Sequence, residues 1–177
     1  MKNIVYIAAS IDGFIARKDG NLDWLFEIPN PEGSDFGFTE FMKEIDAVVM
    51  GRKTYEFVAS MDPWPYEKPV FVLSKSIKTI PTRLQDKVAL MDEEPAEVVR
   101  ILNSRKYNNL YIDGGKTIQS FLKEELIDEL IITRIPILLG EGIPLFSTIN
   151  KEQKYEHIKT EIFNNALVKS HYNKINQ

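Results

Sequence analysis

Along the chain, short apolar β-branched runs alternate with stretches whose apolar residues recur every three or four positions. Asn3 to Ser10 (NIVYIAAS) is nearly all apolar, the pattern of a strand covered on both faces. Asp12–Gly13 signals a turn, followed by a short apolar run at Phe14 to Ala16 and a second turn at Asp19 to Asn21. Leu22 to Glu27 suits one or two helical turns, and the Pro, Gly and Asn residues after it mark a loop. Ser34 is the expected N-cap of a helix from Asp35 to about Glu44, because Phe38, Phe41, Met42 and Ile45 share one face.

Ala47 to Met50 reads as a buried strand that runs through Gly51 into a helix. Val70 to Ser74 and Lys87 to Met91 read as two further strands. A helix follows that opens with Pro95, a favoured first-turn residue. Asn109 to Gly115 is a strand ending on paired glycines, with a helix from Lys116 behind it. Ile127 to Leu139 is a long strand-like run, and Gly140 to Pro144 a loop. The tail from Tyr155 reads as two strands around Asn164–Asn165, a hairpin signal. This alternation predicts an α/β fold with a mostly parallel sheet, an antiparallel C-terminal edge and about four helices. No repeat, low-complexity tract or linker divides the 177 residues, so one domain spanning 1–177 is expected.

Charge and composition narrow the chemistry. A net charge of −4 disfavours a general nucleic-acid binder, which would show a basic face. The absence of cysteine removes thiol nucleophiles and zinc–thiolate sites. Two histidines, His157 and His171, do not suggest a metal centre, and none is expected. Asp12 interrupts the N-terminal apolar run too early for a signal sequence. No stretch approaches the ~20 apolar residues of a membrane span. A cytoplasmic protein without membrane partners is the expectation.

Two strand-to-helix junctions carry glycine followed by cationic and hydroxyl residues: Gly51-Arg52-Lys53-Thr54 and Gly114-Gly115-Lys116-Thr117. Ligands of open α/β sheets bind outside the carboxyl ends of the strands. A helix N-terminus there presents unpaired N–H groups and a partial positive charge. Glycine lets a phosphate approach the backbone. Together the junctions suit a diphosphate. Glycine at such joins also serves conformation alone, and Thr54 serves equally as a helix cap. A third strand end, Ser74-Lys75-Ser76, offers a site for the 2′-phosphate of NADPH if it meets Arg52, or else is a solvated lysine-rich turn.

Taken in order, AASIDGFIA, Trp24, VVMGRKTYE, FVLSKS, YIDGG and IDELIIT resemble the dihydrofolate reductase fold. SIDGFIA and PILLGEGIPLF are closer to the reductase domain of bacterial riboflavin biosynthesis. The chain is identified as a member of that group, among the stand-alone YwjB- and YyaP-like reductases. The resemblance implies a single-domain three-layer fold with an eight-stranded mixed sheet, NADPH across the strand ends, a small-molecule substrate and a homodimer. Carried over by residue, Gly51, Arg52, Lys53 and Thr54 match the cofactor turn, and Ser74 and Lys75 the adenosine-phosphate end. Gly114 and Gly115, followed by Lys116 and Thr117, match the diphosphate end, and Ala8 and Ile15 the nicotinamide region.

Asp35, 16 positions before Gly51, matches the substrate-binding carboxylate of dihydrofolate reductases, and Thr133 matches its companion threonine. An acid at a helix start is also favoured by the helix dipole alone. Asp12 borders the nicotinamide region but equally marks a turn. Trp24, Thr39 and Glu141 complete the expected substrate side. Thr39 stands where the folate enzyme has an aromatic residue, and Leu25 to Ser34 is longer than its usual connection. The expected activity is therefore NADPH-dependent hydride transfer to a small heterocycle, as in 5-amino-6-(5-phosphoribosylamino)uracil reduction. The alternatives are true dihydrofolate reduction and an NADP-binding module without turnover.

Overall fold

The computed structural model describes residues 1–175. Strand β1 (Lys2–Ser10) lies near the centre of an eight-stranded sheet. Its neighbours are β6 (Asn109–Asp113) and β7 (Glu129–Ile135), both parallel to it. Beyond β6 come β3 (Ala47–Gly51), β4 (Val70–Leu73) and β5 (Val88–Met91), all parallel. Beyond β7 come β10 (Leu167–Lys174) and then β9 (Tyr155–Phe163), joined as an antiparallel hairpin. The sheet order is thus β5-β4-β3-β6-β1-β7-β10-β9. Asn164 and Asn165 both take positive φ, 53° and 51°, which turns the hairpin.

The near-continuous apolar strands are explained by helices on both faces. Val5 and Ala9 of β1 pack with Val98 and Leu102 of α4 (Pro95–Ser104) and Ile118 and Phe121 of α5 (Gly115–Lys123). On the other face, Ile4, Val48, Met50 and Tyr111 pack with Phe41 of α2 (Phe38–Lys43) and with Tyr55 and Val58 of α3 (Arg52–Val58). A smaller cluster of Trp24, Ile135 and Leu167 closes the carboxyl end of β7. The result is the expected three-layer α/β fold with its antiparallel C-terminal hairpin.

Several boundaries differ from the sequence pattern. The helix expected from Asp35 begins at Phe38, because Phe36 and Gly37 are left-handed (φ 55° and 90°). Ser34 does not cap it; its Oγ accepts from Phe36 N at 3.1 Å. Asp35 caps instead, accepting from Gly37 N at 2.9 Å and Thr39 N at 2.8 Å. The run to Leu139 stops as a strand at Ile135, where Pro136 supplies no donor. The described residues form five α-helices, counting the single turn α1 (Asp23–Phe26) that the pattern at Leu22 to Glu27 allowed. The Gly140–Pro144 loop ends in a two-residue strand, β8 (Ile143–Pro144), paired with β2 (Phe14–Ala16). Among the described residues, no helix is long and apolar enough to cross a membrane.

Candidate functional site

The two glycine junctions lie side by side. β3 and β6 are paired up to Met50 opposite Asp113, so the chain leaves both strands at one level. From β3 it runs into α3 on one face, and from β6 into α5 on the other. This divergence between neighbouring strands is the switch point at which open α/β sheets bind ligands.

The junctions also interlock. A Cβ on Gly51 would stand 2.8 Å from Thr117 Oγ1, and one on Gly114 would overlap Thr54 Oγ1. Each threonine thus rests on the other junction's glycine. Gly114 has φ 87°, a conformation that side chains rarely adopt. Neither helix start has a side-chain cap, so the first-turn N–H groups keep no such partner. Glycine backbone, two hydroxyls and two helix starts therefore share one small area. These residues fit the diphosphate of a dinucleotide.

Lys53 and Lys116 are exposed beside this cradle. Gly51 pairs with Leu73, which makes Arg52 and Ser74 the next positions on adjacent strands. Their side chains are differently engaged. Arg52 is half-exposed and reaches Glu56 at 3.3 Å, a weak one-turn ion pair. Ser74 Oγ accepts from Ser76 N and Ile77 N at 3.2 and 3.1 Å, and Lys75 pairs with Glu94 at 3.2 Å. Register thus sets Arg52 and Ser74 at adjacent positions with their side chains on other partners, while Lys75 turns towards the start of α4.

The β1 end carries the next group. Ala8 is half-buried, and Ile15 packs on the start of α5, its Cδ1 2.6 Å from where a Cβ of Gly115 would lie. Asp12 accepts from Ser10 Oγ at 2.5 Å, from Leu139 N at 3.2 Å and from Gly140 N at 2.7 Å. The Ser10 hydroxyl, then these backbone donors, hold its carboxyl below the ordinary range. Asp12 thereby ties the β1 turn to the Gly140 loop as an ionised acceptor. Glu141 is exposed in that loop and pairs with Lys18 at 2.5 Å, away from the junctions.

On the α2 side, Asp35 is exposed and held down to about 2 by the Thr39 hydroxyl and the Thr39 and Gly37 N–H groups. It is an acceptor at neutral pH. The companion expected from the resemblance is not its partner: Thr133 is buried in β7, in register with Ala8 on one side and Lys169 on the other. The left-handed turn at Phe36–Gly37 directs Asp35 to the helix start instead. Trp24 is buried against Ile135 and Leu167 with Ala8 nearby. Its Nε1 is buried with no partner among the described residues, a donor without an acceptor.

Two residues were missed in the sequence. Asp113 ends β6 directly before the paired glycines and is part-buried. Its Oδ1 accepts from Gly114 N at 2.8 Å and its Oδ2 from Tyr66 OH at 3.3 Å. Burial pushes its carboxyl above the ordinary value, although these donors oppose the shift. The signal was visible: an acid closing an otherwise apolar strand. Lys169 is buried, donating to Phe36 O at 2.9 Å beside Tyr6 OH, which donates to the same oxygen at 2.9 Å. It also pairs with Glu161 at 3.2 Å. Alternation in the hairpin places a lysine on the α2 face, but only the tertiary fold shows that this face is covered.

Residues 2–169 match the family model described as the RibD C-terminal domain. The protein YwjB of Bacillus subtilis (strain 168) is 41% identical over 175 residues, 97% of each chain. A solved structure of a putative riboflavin biosynthesis protein from Shewanella sp. PV-4 is 48% identical, with a TM-score of 0.95 over 99% of this chain and 100% of that one. Dihydrofolate reductase from Enterococcus faecalis, solved with NADP(H), shares the fold at a TM-score of 0.67 and 17% identity, over 99% of this chain and 97% of that one.

Proposed function

Because the chain belongs to the RibD C-terminal domain family, a family of riboflavin-type reductases, we propose that it is an NADPH-dependent oxidoreductase acting on a small heterocyclic substrate. The closest chemical analogue is the reduction of 5-amino-6-(5-phosphoribosylamino)uracil. The observation that carries this reading is the interlock of Gly51 with Thr117 and of Gly114 with Thr54. That arrangement brings two helix starts and two hydroxyls within reach of one diphosphate, at the switch point of the sheet.

The dinucleotide would supply the hydride, and the chain binds and orients it. Gly51, Thr54, Gly114, Gly115 and Thr117 hold the diphosphate, with Lys53 and Lys116 adding positive charge at the rim. Arg52, next to Ser74, would meet the 2′-phosphate on release from Glu56, and Lys75 would join it only on release from Glu94. Ala8 and Ile15 line the ring end. Asp12 fixes the turn that presents them. Asp113 holds the Gly114 N–H and with it the left-handed turn of the cradle.

On the substrate side, Asp35 accepts N–H groups of the heterocycle, with Thr39 holding its carboxylate. Its low pKa excludes it as a proton donor at neutral pH. Thr133 and Trp24 border the ring, Trp24 through the Nε1 donor that has no partner among the described residues. Glu141, paired with Lys18, acts only if the loop moves inward. Titration of the purified protein with NADPH and then NADH, followed by tryptophan and nicotinamide fluorescence, tests the reading. Tight NADPH-selective binding is expected. Folded protein that binds neither cofactor overturns it.

A further inference from the structure

Asp35 has no proton to give at neutral pH, yet reducing a C=N or C=O bond takes a proton as well as a hydride. The sheet sets a second carboxyl on the same face. Along β6, Tyr111 packs on the α2–α3 side, so Asp113, two residues on, projects to that side too. Tyr6 of β1 packs there as well, and extending the register that pairs Ile4 with Tyr111 sets Tyr6 beside Asp113. Ala8, at the proposed ring end, is one pleat further along that face. Asp113 thus stands between the cradle, which it joins through Gly114 N, and the ring end. Its neighbours are phenols and backbone. Tyr66, from the segment before β4, donates to Oδ2 at 3.3 Å, and Gly114 N to Oδ1 at 2.8 Å. Tyr111 OH lies beside it, bonded to Tyr6 O at 3.0 Å. β3 sets apolar Met50 in register with it. At the two helix starts Arg52 is turned to Glu56, and Lys53 and Lys116 are exposed at the rim. From the start of α2 the charged group is Asp35, whose field reaches Tyr6. Burial outweighs the donors and raises the Asp113 carboxyl, while Asp35 is held down to about 2. Two carboxyls whose surroundings push them apart divide into an ionised partner and an acid.

We propose that Asp113 is the acid of the reductase reaction, taking up a proton as the dinucleotide binds and giving it to the substrate atom next to the carbon that receives the hydride. This rests on the reductase reading and names the source of its proton. The link to binding is charge. A diphosphate seated on Gly114 adds negative charge beside a carboxyl whose bonded neighbours are all uncharged, and that favours the protonated form. In the reaction the Oδ2–H bond of Asp113 breaks, and that hydrogen bonds to the substrate nitrogen or oxygen. The electron pair of the reduced double bond moves onto that atom, and the hydride from NADPH bonds to the neighbouring carbon. NADP⁺ and the reduced substrate leave, and Asp113 is left as the carboxylate. Water supplies its next proton when the next NADPH binds.

Calorimetric titration with NADPH in phosphate and in Tris buffer, from about pH 5 to about pH 8, counts the protons taken up on binding. The 2′-phosphate of NADPH titrates in this range too. The quantity read is therefore the uptake by wild type minus that by Asp113→Asn, which keeps an acceptor for Gly114 N but carries no acid. Wild type should take up the larger number, by a substantial fraction of one proton. Tyr66→Phe removes a donor that favours the carboxylate, so it should move this excess to higher pH. With an acceptor that the wild type reduces, 5-amino-6-(5-phosphoribosylamino)uracil being the first tried, Asp113→Asn should lose about 10²–10⁴-fold in kcat. The alkaline fall of wild-type kcat should disappear with it. Circular dichroism checks that each variant is folded. If Asp113→Asn does not fold, the Tyr66→Phe profile decides, and an unmoved profile overturns the proposal. NADPH binding without excess uptake, or wild-type turnover in Asp113→Asn, overturns it and leaves the cofactor reading standing. Folded protein that binds no NADPH overturns that reading and the proposal with it.

Discussion

Thr117 Oγ1 stands so close over Gly51 that a Cβ added there would meet it at 2.8 Å, and Thr54 occupies the matching place over Gly114. Two helices that begin on opposite faces of the sheet are thereby locked to each other at their first turns. The lock is tighter at Gly114, where positive φ adds backbone strain to the steric overlap. Gly114→Ala should therefore destabilise the protein more than Gly51→Ala. Strain at a left-handed position is worth about 1–3 kcal/mol and overpacking about 1–3 kcal/mol more. Urea unfolding of both variants, read by midpoint, checks the order. Gly51→Ala should keep its fold but lose NADPH affinity, since its new methyl displaces the Thr117 hydroxyl from the cradle.

Arg52 separates the two cofactors. It is half-exposed and, among the described residues, tied to Glu56 alone, a pair of little net worth in solvent. Removing it should leave folding nearly unchanged. A charge-assisted bond to the 2′-phosphate is worth about 1.5–3 kcal/mol, or roughly 10- to 150-fold in affinity. Arg52→Ala should thus weaken NADPH by that factor and NADH hardly at all. Equal losses in parallel titrations would remove Arg52 from the 2′-phosphate.

The central strands and both glycine junctions were legible in the sequence because their signals are local: apolar runs, paired glycines, Pro95 at a helix start. The hairpin was legible through Asn164–Asn165. What stayed hidden depends on tertiary context. Whether Asp35 caps a helix or turns towards Thr133 is decided by the left-handed pair Phe36–Gly37, and a non-glycine residue such as Phe36 gives no warning of positive φ. Asp12 read as half of a turn, yet its acceptors bridge to Leu139 and Gly140, more than 100 positions away. Lys169 carries no local signal, because the segment that covers it, the start of α2, is more than 100 positions away in sequence.

Asp35 links acid stability to catalysis. Its carboxyl is lowered in the folded protein to about 2 from an ordinary 3.8. The folded state therefore gains from its ionised form above about pH 4, and that gain is lost as pH falls through about 2. Asparagine has one acceptor oxygen where Asp35 uses both, for Gly37 N and Thr39 N, and it does not titrate in this range. Asp35→Asn should be less stable than the wild type in urea unfolding at neutral pH, with the gap narrowing as pH falls from about 4 to about 2. Under the reductase reading its turnover should fall at least about tenfold with NADPH affinity unchanged, because an amide no longer supplies two acceptors to the substrate.

Tyr6 OH and Lys169 Nζ converge on the carbonyl oxygen of Phe36, each at 2.9 Å. That oxygen opens the left-handed turn from which α2 starts, so two side chains from different strands fix the position of Asp35. Tyr6→Phe removes one donor and leaves the lysine. Lys169→Met keeps the buried stem and removes the other donor, together with the contact to Glu161, which still pairs with Lys159 at 3.2 Å. Each single change leaves Phe36 O with one partner. Lys169→Met should destabilise by about 1.5–3 kcal/mol, the range for a hydrogen bond to a charged group, and Tyr6→Phe by about 0.5–1.5 kcal/mol. The double variant leaves the oxygen without either donor. It should lose more than the sum of the singles, with a coupling of about 0.5–3 kcal/mol. Urea unfolding of the four proteins gives that coupling directly. Strict additivity would show that the two donors act on separate parts of the turn, and that Lys169 is held by Glu161 rather than by Phe36.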